Sequence, residues 1–242
     1  MKYEIIKSGS DGNCTIVEDC IAVDMGVPFY IIEPFAKDLK LVLLTHAHGD
    51  HFRKQTVRKL AKMRPTLKWA CRDWMAQPLL EQGVDARNIH LLPPDEWQLY
   101  AALNVMVCPF DTVHDSQNCG WRIWRDHHDS IFYATDLATL DGIEAKAYTV
   151  YLLEANYREA ELQQRLEEKL DAGVFAYETR AEVTHLSREQ ATAWLQENMA
   201  PWSIWVPMHE HKEREAQDGM VRSTPNLGET SENAETCKMS KV

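Results

Sequence analysis

The chain has 242 residues, of which 45% are hydrophobic and 26% charged, enough for one large domain with a sizeable core and unlike a fibrous or low-complexity sequence. Its formal net charge of -11 argues against a broad basic surface that grips duplex nucleic acid by counterion release, although bound divalent cations would add local positive charge that residue counting omits. No run of about eighteen apolar residues occurs and the opening MKYEIIKSG shows no signal-peptide pattern, so the expectation is a cytoplasmic protein with no membrane partner.

In chain order, Tyr3 to Ile6 and Thr15 to Val23 read as two strands separated by the turn-forming SGSDGN, and Asp24 and Gly26 end the second. Leu41 to Leu44 is a short continuous apolar run that suits a buried strand. Gln55 to Lys62 reads as a helix, Lys68 to Cys71 as a strand, and Arg72 to Gln82 as a helix stopped by Gly83. Further strands are expected at Ile89 to Leu92, Trp97 to Tyr100, Val105 to Pro109, Gly120 to Trp124, Ser130 to Ala134 and Thr149 to Leu153. Arg158 to Leu170 carries leucines at helical spacing, and Ser187 to Met199 opens with a Ser187/Gln190 capping box. Between these helices Val174 to Tyr177 is a strand or a loop, and Trp202 to Val206 is the last strand. Mixed strands and helices in this order suit an α/β (α+β) protein of two packed sheets flanked by helices. Beyond about Lys212 the composition turns polar, so residues 1–211 are read as the domain and 212–242 as a disordered tail dispensable for chemistry. Six scattered cysteines lack CxxC or zinc-finger spacing and read as reduced structural thiols.

The densest signal is Thr45-His46-Ala47-His48-Gly49-Asp50-His51, directly after the buried strand. Four ligand-capable side chains within six residues crowd charge and lone pairs together for no folding benefit, and a metal centre explains them. On an extended backbone His46 and His48 point to one side, and small Gly49 then lets the chain turn to bring Asp50 and His51 toward a second ion.

This HxHxDH segment resembles the signature of the metallo-β-lactamase-fold superfamily, and the resemblance extends over residues 1 to about 211. It implies a four-layer αββα sandwich, with Asp24 in IAVDMG orienting the site, His114 in DTVHD as a third ligand of the first ion, Asp136 in YATDL as a bridging carboxylate, and His209 in VPMHEH as the last ligand. By that analogy His46, His48 and His114 hold one ion, Asp50, His51 and His209 the other, and Asp136 lies between. His211 shares a side with His209 and could replace it, but His209 is preferred because it directly follows the apolar SIWVPM. The ligand chemistry favours two divalent ions, zinc or manganese. Redox members of the superfamily usually carry glutamate at the position of His48, so its absence favours hydrolysis, with a metal-bridging hydroxide as nucleophile and Asp50 placed to orient it or take its proton.

Glu154 in LLEANY and His185 in VTHLS resemble motifs of ribonuclease Z-like phosphodiesterases, and more closely those of small WalJ-type bacterial members classed as exonucleases; the opening SGSDGN and the segment HLSREQATAWL resemble the same group. The resemblance implies cleavage of a phosphodiester in nucleic acid or a small, even cyclic, nucleotide, with His185 serving the phosphate or leaving group and Glu154 orienting His185. The rival reading, hydrolysis of a lactone, thioester or β-lactam, needs the same ions but neither Glu154 nor His185. A non-catalytic scaffold is disfavoured because every ligand position is filled. His127 and His128 read as a solvated turn and His90 as a strand side chain, while Trp121, Trp124 and Trp202 are candidates to border the pocket and stack on a base. No motif encodes the oligomeric state, a homodimer included.

Overall fold

The computed structural model describes residues 1–126, 129–171 and 178–210. Strand β1 (Tyr3–Lys7) pairs antiparallel with β2 (Cys14–Val17), which pairs antiparallel with β3 (Ile21–Val23). The single strand expected over Thr15 to Val23 is therefore two. Glu18 and Asp19 both take left-handed backbone, φ 52° and 56°, which reverses the chain in a tight hairpin without the usual Asn-Gly signal.

Helix α1 (Phe29–Ala36), strand β4 (Leu41–Leu43), helix α2 (Lys54–Met63), strand β5 (Lys68–Cys71), helix α3 (Ala76–Glu81) and strand β6 (Ile89–Leu91) complete the first half, and β3 to β6 run parallel. Pro34 lies inside α1, and an interior proline normally argues against a helix, which hid this one. The helix expected from Arg72 begins instead as a 3₁₀ turn over Asp73–Met75.

The second sheet comprises β7 (Gln98–Tyr100), β8 (Val105–Thr112), β9 (Asn118–Asp126), β10 (Asp129–Ala134), β11 (Val150–Glu154) and β12 (Ile204–Met208), the last starting two residues later than expected. Helices α4 (Glu159–Asp171), α5 (Glu178–Thr184) and α6 (Arg188–Asn198) fall between β11 and β12, and α5 was not foreseen. The expected capping box of Ser187 and Gln190 opens α6. Val174 to Tyr177, His127, His128, His211 and the tail 212–242 lie outside the described residues.

Sheet orders are β1-β2-β3-β4-β5-β6 and β12-β11-β10-β9-β8-β7. Val23, Leu43, Trp121, Ile131 and Leu152 interlock between the sheets. Ile32, Leu60 and Leu79 cover the outer face of the first sheet, and Ala191 and Leu195 of α6 cover Phe132 and Tyr151 of the second. Each such large side chain stabilises the fold by roughly 1.5–3 kcal/mol, and the result is the αββα sandwich. Because β9 is antiparallel to both β8 and β10, while β11 and β12 run parallel to β10, the strands β8, β10, β11 and β12 all end at one edge of their sheet. No helix among the described residues is long and apolar enough to cross a membrane. The five cysteines among them are all free thiols.

Candidate metal centre

The loop after β4 is docked by backbone bonds: Asn13 N donates to Asp50 O at 2.6 Å, Met25 N to His51 O at 2.8 Å, and Arg53 N to Met25 O at 2.9 Å. This approach is so close that a Cβ on Gly26 would stand 1.6 Å from the Asp50 carbonyl oxygen, so only glycine fits there. Gly49, expected to permit the turn, has open space around it and no left-handed φ. The constraint on the loop thus lies in the preceding strand end.

Three residues leave their strands in left-handed backbone: Asp24 (φ 61°), Asp136 (φ 58°) and His209 (φ 53°). Non-glycine residues adopt this conformation uncommonly, and functional sites concentrate it. Here it follows β3, β10 and β12, and it brings the three side chains to the sheet edges where the histidine loop lies.

The convergence forms contiguous groups, within each of which the ligand atoms lie no more than 4.8 Å apart: His46, His48 and His114; Asp50, His51, Asp136 and His209; and Asp136, Glu154, His185 and His209. The nine residues read as metal ligands or catalytic groups therefore meet here, with Asp24 behind them. His51 Nδ1 is 2.7 Å from Asp24 Oδ2, and Thr45 N donates to Asp24 Oδ1 at 2.9 Å. Asp50 stands farther off, its Oδ2 3.8 Å from both His51 Nε2 and His209 Nε2.

One pattern runs through four imidazoles. The Nδ1 atom is engaged in each: His46 with Thr45 Oγ1 at 3.0 Å, His51 with Asp24, His114 with the Thr184 carbonyl at 3.0 Å, and His209 with Glu154 Oε1 at 3.2 Å. That leaves Nε2 as the inward atom, the arrangement by which an outer partner fixes the tautomer of a metal-binding histidine. His46 Nε2, His209 Nε2 and Asp136 Oδ2 are buried without an aligned hydrogen-bond partner among the described residues. Asp136 Oδ2 does lie 2.7 Å from His51 Nε2, as an ion pair rather than a hydrogen bond. Buried polar atoms are rarely left so, and this donor set fits divalent cations.

Charge follows the geometry. Burial, helped by the nearby charge of His51, holds His46 well below the ordinary imidazole range. Burial would also lower His51, but Asp136 and Asp24 outweigh it and hold this imidazole well above that range. His209 is likewise raised, to about 10, because Asp136, Asp50 and Glu154 overcome its burial. Asp136 is pushed well below the usual carboxylate range, since His51 and His209 overcome the opposing burial. Without a cation the centre therefore holds protons between carboxylates, as a site shaped for positive charge should.

Glu154 is fully buried. Its Oε1 lies 2.6 Å from His185 Nδ1, while its Oε2 accepts from Leu137 N at 2.9 Å. The same Oε1 reaches His209, so Glu154 serves two histidines where the sequence suggested one.

A family model described as Beta-lactamase superfamily domain matches residues 25–209. The chain belongs to the metallo-β-lactamase superfamily. Among solved structures, the metallo-β-lactamase fold protein YhfI from Bacillus subtilis shares 15% identity over 86% of this chain and 85% of its own, with a TM-score of 0.64. Human tRNase Z, short form, shares 14% identity over 87% of this chain and 92% of its own, with a TM-score of 0.63. Isothiocyanate hydrolase from Delia radicum gut bacteria shares 15% identity over 86% and 84%, with a TM-score of 0.59. A sequence comparison with curated proteins finds no match.

For this metallo-β-lactamase-fold chain, sequence reasoning missed three residues at the centre. Asp115 Oδ1 lies 3.1 Å from His114 Nε2 and 3.5 Å from His48 Nε2, and its other oxygen pairs with Arg180 of α5. Its position beside His114 was the available signal. Asn13, at the end of SGSDGN, is buried with Nδ2 2.8 Å from His51 Nε2. Asn156, two residues after Glu154, donates to the His209 carbonyl at 2.9 Å.

None of the three tryptophans borders the centre. Trp121 is fully buried between the sheets. Trp124 pairs with Met106 near the start of β8, six residues along the strand from Asn118 and so about 20 Å away. Trp202 precedes β12, whose other end carries His209. His90 is a strand residue whose Nδ1 lies 2.9 Å from the Tyr100 hydroxyl.

Proposed function

We propose that the protein is a binuclear metal-dependent phosphodiesterase or nuclease acting on nucleic acid or a small nucleotide. The observation that carries the reading is the buried Glu154–His185 pair, at 2.6 Å, beside the same Asp136 and His209 that contribute to the candidate metal groups. A carboxyl-type hydrolase can work with the same ions and without His185, whereas a phosphodiester needs, besides a proton at its leaving alkoxide, charge compensation at its equatorial oxygens.

His46, His48 and His114 would hold one ion and Asp50, His51 and His209 the other, with Asp136 between; zinc and manganese suit these donors. Bound divalent ions would supply Lewis-acid charge and a water acidified enough to attack near neutral pH. Asp24 keeps the His51 Nδ1 occupied, so that Nε2 faces inward. Asp50, less tightly held than Asp136, is placed to orient the attacking water or accept its proton. Glu154 takes His185 Nδ1, which leaves Nε2 to deliver a proton to the leaving oxygen. The domain is read as residues 1–211, working in the cytoplasm without the tail 212–242.

The test is a substrate panel with zinc and with manganese: bis-p-nitrophenyl phosphate, single- and double-stranded DNA, RNA, cyclic nucleotides, nitrocefin and a lactone. Cleavage is expected only of phosphodiesters. His185→Ala should lower that cleavage by about 10²–10⁴-fold with metal content unchanged, and Glu154→Gln should lower it in the same direction. A wild-type rate in His185→Ala, or turnover confined to nitrocefin or the lactone, would sink the reading.

A further inference from the structure

Beside the centre lies a cavity of about 220 Å³ whose wall includes Asn156, Arg158, Glu161, Arg165, Arg188 and Glu210. It is below the roughly 300–1,000 Å³ usual for a small-molecule site, so it has room for an anionic group rather than a whole nucleotide. Three arginines face two glutamates here, in a chain whose net charge is -11. The guanidinium fork matches phosphate oxygens in two-point contacts.

Its walls are continuous with the candidate metal centre. Asn156 follows Glu154 by two residues, Glu210 follows His209, and Arg188 lies three residues beyond His185. The Asn156 amide both lines the cavity and binds the His209 carbonyl at 2.9 Å. Backbone bonds from Asn156 N to Leu186 O at 2.9 Å and from Arg188 N to Tyr157 O at 2.8 Å fix the two walls together.

Two of the arginines are held in exchangeable pairs. Arg158 Nε is 3.6 Å from Glu161 Oε1, with both side chains more than half exposed at 53% and 63%. Arg188 pairs with Glu210 at 2.9 Å and lies over the Trp205 ring. Solvent-accessible pairs of this kind are weak, and a terminal phosphate monoester, with more charge and three acceptor oxygens, would displace the glutamates.

We infer that this cavity is a second phosphate position, which takes the phosphoryl group neighbouring the one cleaved. The inference rests on the phosphodiesterase reading and narrows its substrate to a strand carrying at least two phosphates. Inorganic phosphate offers the same chemistry, so the experiment separates the two sources.

The metal-loaded full-length protein is assayed on a thymidine dinucleotide with and without a 5′-phosphate. Wild type is expected to prefer the phosphorylated form by about ten-fold in kcat/KM, as charge-assisted contacts of this type warrant. Arg158→Gln combined with Arg188→Gln should erase the preference, and Glu161→Gln, which removes a competing carboxylate, should increase it. Absence of the preference in wild type, or its persistence in the double variant, overturns the assignment to substrate. Calorimetry with inorganic phosphate reads the cavity independently of turnover: a binding event lost in the double variant supports it, and an unchanged isotherm overturns it. If no phosphodiester is cleaved at all, the functional reading fails while this second measurement still decides the cavity.

Discussion

In the first half of the sandwich, His46, His48, Asp50 and His51 all leave one strand end within six residues, whereas in the second half His114, Asp136, Glu154 and His209 each stand at the end of a different strand and His185 precedes α6. The first half thus makes its contribution as a folded loop, docked on Asn13 and Met25 by backbone bonds. The second makes its contribution through sheet register, because β8, β10, β11 and β12 must end level for their last side chains to meet. A loop can fail locally; a register set fails together. The centre should therefore respond differently to substitutions on its two sides.

The largest effect is expected where the halves join. Asp136 comes from the second sheet, yet its Oδ2 is 2.7 Å from His51 Nε2 of the first, and its Oδ1 stands 3.7 Å from both His185 Nδ1 and His209 Nδ1. Asp136→Ala should lower hydrolysis by about 10³-fold or more and reduce bound metal measured by elemental analysis. Full metal content in this variant would show that the two halves hold cations independently and would break the comparison.

Next comes the docking of the loop. Gly26→Ala forces a Cβ against the Asp50 carbonyl, whereas the same change at Gly49 meets nothing within 4 Å. The first should cost about 3 kcal/mol or more, the scale of a severe overpacking, and the second within about 0.5 kcal/mol, both read by urea denaturation. Equal effects would mean that the loop does not depend on its contact with the β3 end.

This contrast also explains what was legible in the sequence. The HxHxDH loop announces itself because its donors are contiguous, and Lys68–Cys71 matches its expected strand to the residue because both ends carry clear polar signals. His114, Asp136 and His209 could be picked out only through family resemblance, since nothing local in DTVHD, YATDL or VPMHEH says that these ends share an edge. Asp115 and Asn13 escaped because their roles arise from packing between segments far apart in the chain. Gly49 looks in the sequence like the glycine the loop requires, but Gly26 is, for the clash that a side chain would meet there comes from a residue 24 positions later. Helix α1 was lost to Pro34, whose local propensity the burial of Ile32 and Ala36 overrides.

A smaller effect should follow from loosening one imidazole without touching the others. Asp24→Asn keeps the shape behind His51 but removes the carboxylate at Nδ1. Loss of such an outer partner typically weakens metal affinity by about 10–100-fold. Competition with a chelator should show one class of ion released more readily and the other, which His46, His48 and His114 would hold, unaffected. Equal weakening of both would mean that Asp24 supports the whole loop rather than one ligand.

The smallest expected effect concerns protons in the metal-free chain, where His51 from the first half and His209 from the second face the shared Asp136. Their folded-state values are raised, His51 well above the ordinary range and His209 to about 10, because neighbouring carboxylates outweigh burial. A raised value contributes stability that is fully present below the unfolded pKa, about 6.5, and is lost as pH rises through the folded one. For His209 that window runs from about 6.5 to about 10. Asp136, Glu154 and Asp50 are depressed, so their contributions are present above roughly pH 4 and vanish as pH falls. Urea denaturation of the chelator-treated protein should therefore show a maximum in weakly acidic solution and a decline on the order of 1–3 kcal/mol toward pH 10. Metal should flatten that decline, since cation binding requires the imidazoles to surrender those protons. Stability that rises with pH across this interval would mean that the histidines are neutral without metal, and that Asp136 does not couple the loop to the strand ends through charge.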